Sequence, residues 1–111
     1  QKTSRLMKEK YNDIEIQTTF QSRFGPQEWL KPYTDKTIDA LPEKGIKNLL
    51  VICPGFSSDC VETLEEINEE IAESFSESGG ENFLYIPCLN DRDDHIKALT
   101  NILEKELSGW L

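Results

Sequence analysis

The sequence predicts an α/β domain of the three-layer, Rossmann-like kind, a parallel sheet with helices packed on both faces. Two observations carry that expectation. Three stretches with strand patterning alternate with stretches of helical periodicity, and helical crossovers of this length call for parallel strands joined right-handedly. The middle strand, Asn48-Leu49-Leu50-Val51-Ile52-Cys53, is apolar after its first residue and runs into Pro54-Gly55, the mark of a strand buried on both faces.

The elements follow in order. Lys2 to Lys10 has helical composition and little β-branching, so it opens the chain as a short helix. Ile14, Ile16, Thr18 and Phe20 alternate with polar neighbours, which predicts a first strand over 14–20. Gln21 to Tyr33, containing Gly25, Pro26 and Pro32, is a loop by its turn chemistry. Thr34 is placed to cap a short helix through Ile38 and Leu41, and Gly45 supplies its stop signal. After the middle strand, Asp59 and Glu62 have the spacing of a capping box, and Val61, Leu64, Ile67, Ile71 and Phe75 recur at helical spacing up to Gly79-Gly80. Asn82 to Leu89 predicts a third strand, and Asp91 to Leu107 a closing helix with Ile96, Leu99, Leu103 and Leu107 on one face. Three strands make a thin parallel sheet. A further strand before Lys2 would complete a four-stranded unit, and an opening in mid-pattern fits a fragment.

Residues 1–111 are one domain by length, with room for one modest core. Twelve basic residues against 21 acidic ones give a net charge of -9, with the positive charges scattered, which argues against a nucleic-acid partner. Cys53, Cys60 and Cys88 are odd in number and widely spaced, which reads as a reducing, cytoplasmic compartment. Residues 1–20 lack the apolar run of a signal peptide, and no window approaches the ~20 apolar residues of a membrane span.

Ligands of open parallel sheets bind beyond the carboxyl ends of the strands. Three loops qualify: 21–30, 54–59 and 88–91. None carries a G-x-G-x-x-G or Walker A pattern, so nucleotide binding loses its main support. Glu62, Glu66 and Glu70 fall at i, i+4 and i+8, one stripe on a helix that starts at this edge. Two readings are open: a solvated acidic face shared with Glu65, Glu69 and Glu73, or a track of carboxylates carrying a hard divalent cation or protons toward the helix start. His95, the single histidine, stands in the first turn of the closing helix and reads as solvated. Trp29, beside Gly25 and Pro26, either lines an apolar pocket or packs over the end of the sheet.

Two segments resemble a known family. Phe20-Gln21-Ser22-Arg23-Phe24-Gly25-Pro26-Gln27-Glu28-Trp29-Leu30, followed by Pro32 and Thr34-Asp35, resembles the ferrochelatase pattern Q-S-[RK]-x-G-P-x-x-W-L-x-P-x-T-[DE]. Pro54 with Ser58-Asp59 and Glu62-Thr63-Leu64 resembles the same family's P-x-x-x-[ST]-D-x-x-E-T-L. Order and spacing match, and the similarity runs along essentially the whole chain. The resemblance implies the C-terminal chelatase domain of a two-domain enzyme that inserts Fe2+ into protoporphyrin IX to form protohaem, with the N-terminal half as partner. It implies Glu62 as the catalytic carboxylate, Glu62, Glu66 and Glu70 as the metal line, and Gln21, Ser22, Trp29, Ser58 and Asp59 in the porphyrin-binding motifs. The family's active-site histidine lies upstream of this segment and His95 does not match it, so the chain alone is expected to fold without catalysing. Many members have histidine where Cys60 stands, a variation associated with bacterial enzymes. No iron-sulfur cluster is expected and Fe2+ is a substrate, so no resident cofactor is implied. The complete enzyme is expected in the cytoplasm or peripheral to the inner membrane. A chelatase for another tetrapyrrole or metal, and a noncatalytic haem-binding or porphyrin-binding module, are the alternative readings.

Overall fold

In the computed structural model, which describes residues 2–21 and 25–110, the order of elements is α1 (Lys2–Lys10), α2 (Thr34–Ala40), a 3-10 turn (Pro42–Lys44), β1 (Asn48–Ile52), a π-helix (Glu62–Ile71) continued by α3 (Ala72–Glu77), β2 (Asn82–Ile86) and α4 (Asp93–Glu106). The strands β1 and β2 are parallel, in register from Asn48 opposite Asn82 to Ile52 opposite Ile86. The α/β class and the parallel pairing therefore match the sequence-based expectation, and the π-helix with α3 forms the crossover between them.

The expected strand over 14–20 is not formed. Its one ladder contact is an isolated parallel bridge between Phe20 and Tyr33, in which Phe20 N–H donates to Pro32 O at 3.0 Å and Thr34 N–H to Phe20 O at 3.1 Å. Alternation fixes which faces a strand would present, but a strand exists only where a neighbour supplies ladder hydrogen bonds. None does for this segment, and Ile14 is 53 % exposed. The sheet among the described residues accordingly has two strands instead of three.

One face of that sheet carries the core. Ile38 and Leu41 from the α2 region, Ile67 and Ile71 of the π-helix, Phe75 of α3 and Tyr85 of β2 are buried together, and Leu49, Val51, Cys53 and Phe83 pack against them. Leu50 and Leu84, on the alternate face, are 51 % and 59 % exposed, and α1 and α4 contribute no buried residue. Among the described residues that alternate face is open to solvent at these two leucines. The radius of gyration is 16.9 Å, against about 13 Å for a compact chain of this length.

Two glycines are dictated by geometry. Gly45 ends the 3-10 turn at φ 85°, a left-handed conformation that costs other residues energy. A Cβ on Gly80 would run into the Phe75 ring, the least exposed of the large core side chains. Thr34 is not the cap of α2: the N-cap position falls on Tyr33, and the Thr34 hydroxyl donates to Thr19 Oγ1 at 3.0 Å.

The winding of the π-helix changes which residues face the core. An α-helix over this segment would bury Val61 and Leu64 with Ile67, as their spacing suggests, yet both are exposed, and the buried row is Thr63, Ile67, Ile71 and Phe75. A helix closed by i→i+5 bonds has roughly 4.4 residues per turn instead of 3.6, so residues three apart swing off a common face while residues four apart stay on it. Leu64 is turned out by that rotation, while Thr63, four residues before Ile67, keeps the core face it would have in either winding.

Candidate active site

The carboxyl ends of β1 and β2 lead into two loops that are bound to each other through Asp59. Its Oδ1 accepts from Tyr85 Oη at 2.6 Å and from Thr63 Oγ1 at 2.9 Å. Its Oδ2 accepts from Asn90 Nδ2 at 2.8 Å and from Cys88 N–H at 3.3 Å. Four donors occupy about the four acceptor positions that a carboxylate offers. Hydrogen bonds from Tyr85, then Asn90, hold the Asp59 carboxyl far below the usual carboxylate range, while burial and the facing carboxylate push the Tyr85 hydroxyl well above its own. Asp59 is ionised and Tyr85 neutral at neutral pH.

The expected capping box is replaced by a different arrangement. No side chain caps the π-helix, and the backbone N–H of Asp59, which Glu62 was expected to receive, donates instead to Asn90 Oδ1 at 2.8 Å, while Cys60 N–H donates to Thr63 Oγ1 at 3.0 Å. Thr63 is buried on the core face, with its hydroxyl in reach of both Cys60 N–H and Asp59 Oδ1. Glu62 is left half-buried, its carboxyl held below the usual range first by the Cys60 thiol and then by its own backbone N–H. It therefore keeps its negative charge at neutral pH.

Glu66 and Glu70 stand four and eight residues further along the same helix. The row passes from half-buried Glu62 and Glu66 to exposed Glu70, whereas Glu65, Glu69 and Glu73 are exposed throughout. Spacing of four stays aligned under π-winding, so the three carboxylates form a line along the helix and not a cage. No cluster of three or more His, Cys, Asp and Glu side chains suited to holding a metal ion occurs among the described residues. The first loop reaches this line where Gln21 Nε2 donates to Glu66 Oε2 at 3.4 Å, so two of the residues singled out in separate motifs are brought into contact.

A hollow of about 290 Å³ opens at the strand ends between Pro54, Phe56, Pro87 and Leu89, floored by Ile52, Ile86, Cys53 and Cys88. Burial pushes the Cys53 thiol up to about 11, with Cys88 adding to it, and raises Cys88 as well. Both are protonated at neutral pH, which makes them poor nucleophiles. A second hollow, about 370 Å³, is lined by residues 8–16 and includes nothing from the three loops.

Of the remaining sequence-based candidates, Ser58 is exposed on the loop after β1, Trp29 is 39 % exposed on the first loop, and Ser22 lies outside the described residues. Trp29 is not among the buried residues of the core. His95 is half-buried, its Nδ1–H donating to Asn90 O at 2.7 Å. Sequence reasoning passed over Tyr85, Thr63 and Asn90. The available signal was an Asn two residues past a strand-end cysteine, the residue type that best tolerates a left-handed turn after glycine.

A ferrochelatase family profile matches residues 1–107 of the chain. Among curated relatives, the ferrochelatase of Hydrogenovibrio crunogenus is 59 % identical over 110 residues, covering 97 % of this chain and 29 % of the relative. That of Marinobacter nauticus is 60 % identical over 111 residues, covering 98 % and 30 %, and that of Rhizobium etli 55 % identical over 113 residues, covering 100 % and 33 %. The chain thus spans about a third of the length of the curated relatives it matches.

Proposed function

The chain belongs to the ferrochelatase family, and we propose that it is the C-terminal domain of a two-domain enzyme that inserts Fe2+ into protoporphyrin IX to give protohaem and two protons. The observation that carries this reading is the line Glu62, Glu66, Glu70, running from a half-buried end beside the strand termini to solvent on a helix wound so that spacing of four stays in register. A ten-residue π-helix is rare, and π-winding is concentrated at functional sites.

The reaction needs charge and oxygen ligands at the face of the macrocycle. The aquo ion must lose water, and two pyrrole N–H protons must leave as the metal enters. Glu62, charged and half-buried, offers a hard oxygen to the cation and an acceptor for a proton, and Glu66 and Glu70 offer successive sites between it and bulk water. Gln21 holds Glu66 in place from the first loop. The hollow at the strand ends is large enough for one apolar edge of the macrocycle and not for the whole. The partner histidine and the opposite wall of the cleft belong, in this reading, to the N-terminal half of the enzyme, so the 111-residue chain alone is inactive.

Trp29, Ser22 and Ser58 are assigned to the porphyrin side of the same edge. No resident cofactor is proposed, because iron is the substrate. The enzyme is placed in the cytoplasm or on the inner face of the membrane as a peripheral protein; no helix among the described residues is long and apolar enough to cross it.

Replacing Glu62 with Gln in the complete enzyme tests the assignment. Gln keeps the size of the side chain but neither the charge nor the proton affinity, so turnover should fall at least ~100-fold, the scale for a positioned acid-base group. The denaturant midpoint should change by less than about 1 kcal/mol in stability. Near-normal turnover with a folded protein contradicts the assignment.

A further inference from the structure

Asn90 has every polar group committed to one task. Its N–H donates to Ser57 O at 2.9 Å and its side-chain Oδ1 accepts from Asp59 N–H at 2.8 Å, while Nδ2 donates to Asp59 Oδ2 at 2.8 Å. Its own carbonyl accepts from His95 Nδ1–H at 2.7 Å, which ties it to the first turn of α4. The backbone of Asn90 is left-handed, φ 49°, the one described residue other than glycine with positive φ. Such a conformation persists in a non-glycine residue where the surroundings hold it, and it recurs at functional sites. Three of its four groups join the loop after β2 to the loop after β1, immediately before the helix that carries Glu62.

Asp59 completes the connection. Its carboxylate, already saturated by Asn90, Tyr85, Thr63 and Cys88, has no acceptor position left for a substrate. The bond from Thr63 is the one that reaches into the π-helix itself, from the residue next to Glu62.

We infer that the Asp59–Asn90 pair is a latch that positions Glu62 for metal insertion, and that both are positioning residues and not contacts to the macrocycle. The inference rests on the catalytic reading of Glu62. Releasing the latch lets the loop after β1 move and with it the start of the π-helix. A displacement of the order of 1 Å in a reacting group is enough to cost up to ~100-fold in rate. Since the latch does not touch the porphyrin, the loss falls on kcat and leaves KM for porphyrin nearly unchanged.

The test uses the complete enzyme with Asp59→Asn, Asn90→Asp and the double exchange. Each single change sets like groups against each other, two amide Nδ2 groups or two carboxylates, whereas the exchange restores an amide donating to a carboxylate with the partners reversed. Two quantities are read: steady-state metal insertion, and amide hydrogen exchange at Thr63 and Leu64, whose N–H groups bond Cys60 O at the helix start. The latch predicts that each single variant lowers kcat at least ~10-fold, with KM within about twofold to threefold, and speeds exchange at both amides. The double exchange should bring both readouts back most of the way. A KM rise for porphyrin with kcat preserved overturns the inference in favour of direct substrate contact by Asp59. Faster exchange with kcat unchanged also overturns it, by showing that the loop does not govern Glu62, as does a double variant no better than the singles. A wild-type enzyme with no metal insertion would refute the proposed function instead, and exchange at Thr63 and Leu64 would still report whether the pair holds the helix start.

Discussion

Along the π-helix and α3, the apolar row is buried to 3 % exposure at Ile67, 6 % at Ile71 and 1 % at Phe75, whereas on α4 the equally regular row of Ile96, Leu99 and Leu103 stays between 41 % and 58 % exposed. Both segments have the amphipathic pattern of a surface helix. What separates them is a counterpart. The π-helix and α3 lie over Leu49, Val51, Phe83 and Tyr85 of the sheet and against Ile38 and Leu41, while α4 is tied to the rest mainly through the His95 hydrogen bond to the loop after β2. A hydrophobic stripe states which face seeks burial; topology decides whether anything is there to receive it. The line of Glu62, Glu66 and Glu70 proposed for metal insertion stands on the segment that has its counterpart, which fits the precision that positioned carboxylates require.

Stability measurements on the 111-residue chain can break that contrast. The largest effect should come from Phe75→Ala, which empties the centre of the core beside the tilted Phe83 ring at a centroid distance of 6.2 Å. A loss of about 3–5 kcal/mol is expected from a denaturant midpoint; a loss under about 1 kcal/mol would mean that the core described here does not hold the chain together.

Acid should act next, through Asp59. A folded carboxyl depressed below its unfolded value of 3.8 contributes stability that is present above that pH and is lost as the pH falls toward the folded value. Midpoints measured from pH 5 down to pH 2 should therefore decline for the wild type, and the Asp59→Asn variant should decline less steeply over the same window. Parallel curves would show that the carboxylate's four hydrogen bonds are not formed. The smallest effect belongs to α4, where Leu103→Ser should alter the stability of the isolated chain by no more than about 0.5 kcal/mol. A larger loss would place Leu103 in a core that the present structure does not have.

Much of this was legible in the residues. The apolar run through Ile52 and the turn after it located β1, the helical spacing located the crossover, and the two motifs around Gln21 and Glu62 pointed to the family before any geometry was seen. The strand over 14–20 was misread because alternation carries no information about whether a neighbouring edge exists. The buried face of the π-helix was misread for a different reason. Winding is set by hydrogen-bond closure over five residues and leaves no mark in a periodicity of three and four, so Val61 and Leu64 were placed inside. Asn90 escaped notice because its role depends on four hydrogen bonds to Ser57, Asp59 and His95, none of which a single residue type announces. The capping box failed because Asn90 Oδ1, from the loop after β2, and not Glu62 receives the Asp59 N–H.

The two acidic rows of the π-helix and α3 give the most direct test of the central claim, because they share one continuous helix, a charge and an intrinsic propensity and differ in which face they occupy. In the complete enzyme, Gln is substituted singly for Glu62, Glu66 and Glu70, and for Glu65, Glu69 and Glu73, and the rate of Fe2+ or Zn2+ insertion into protoporphyrin is measured. The account predicts a graded loss along the first row, at least ~100-fold at Glu62 and roughly tenfold or less at Glu66 and Glu70, with the second row within about twofold of wild type. Equal effects from the two rows, or a loss confined to Glu65, Glu69 and Glu73, would contradict it.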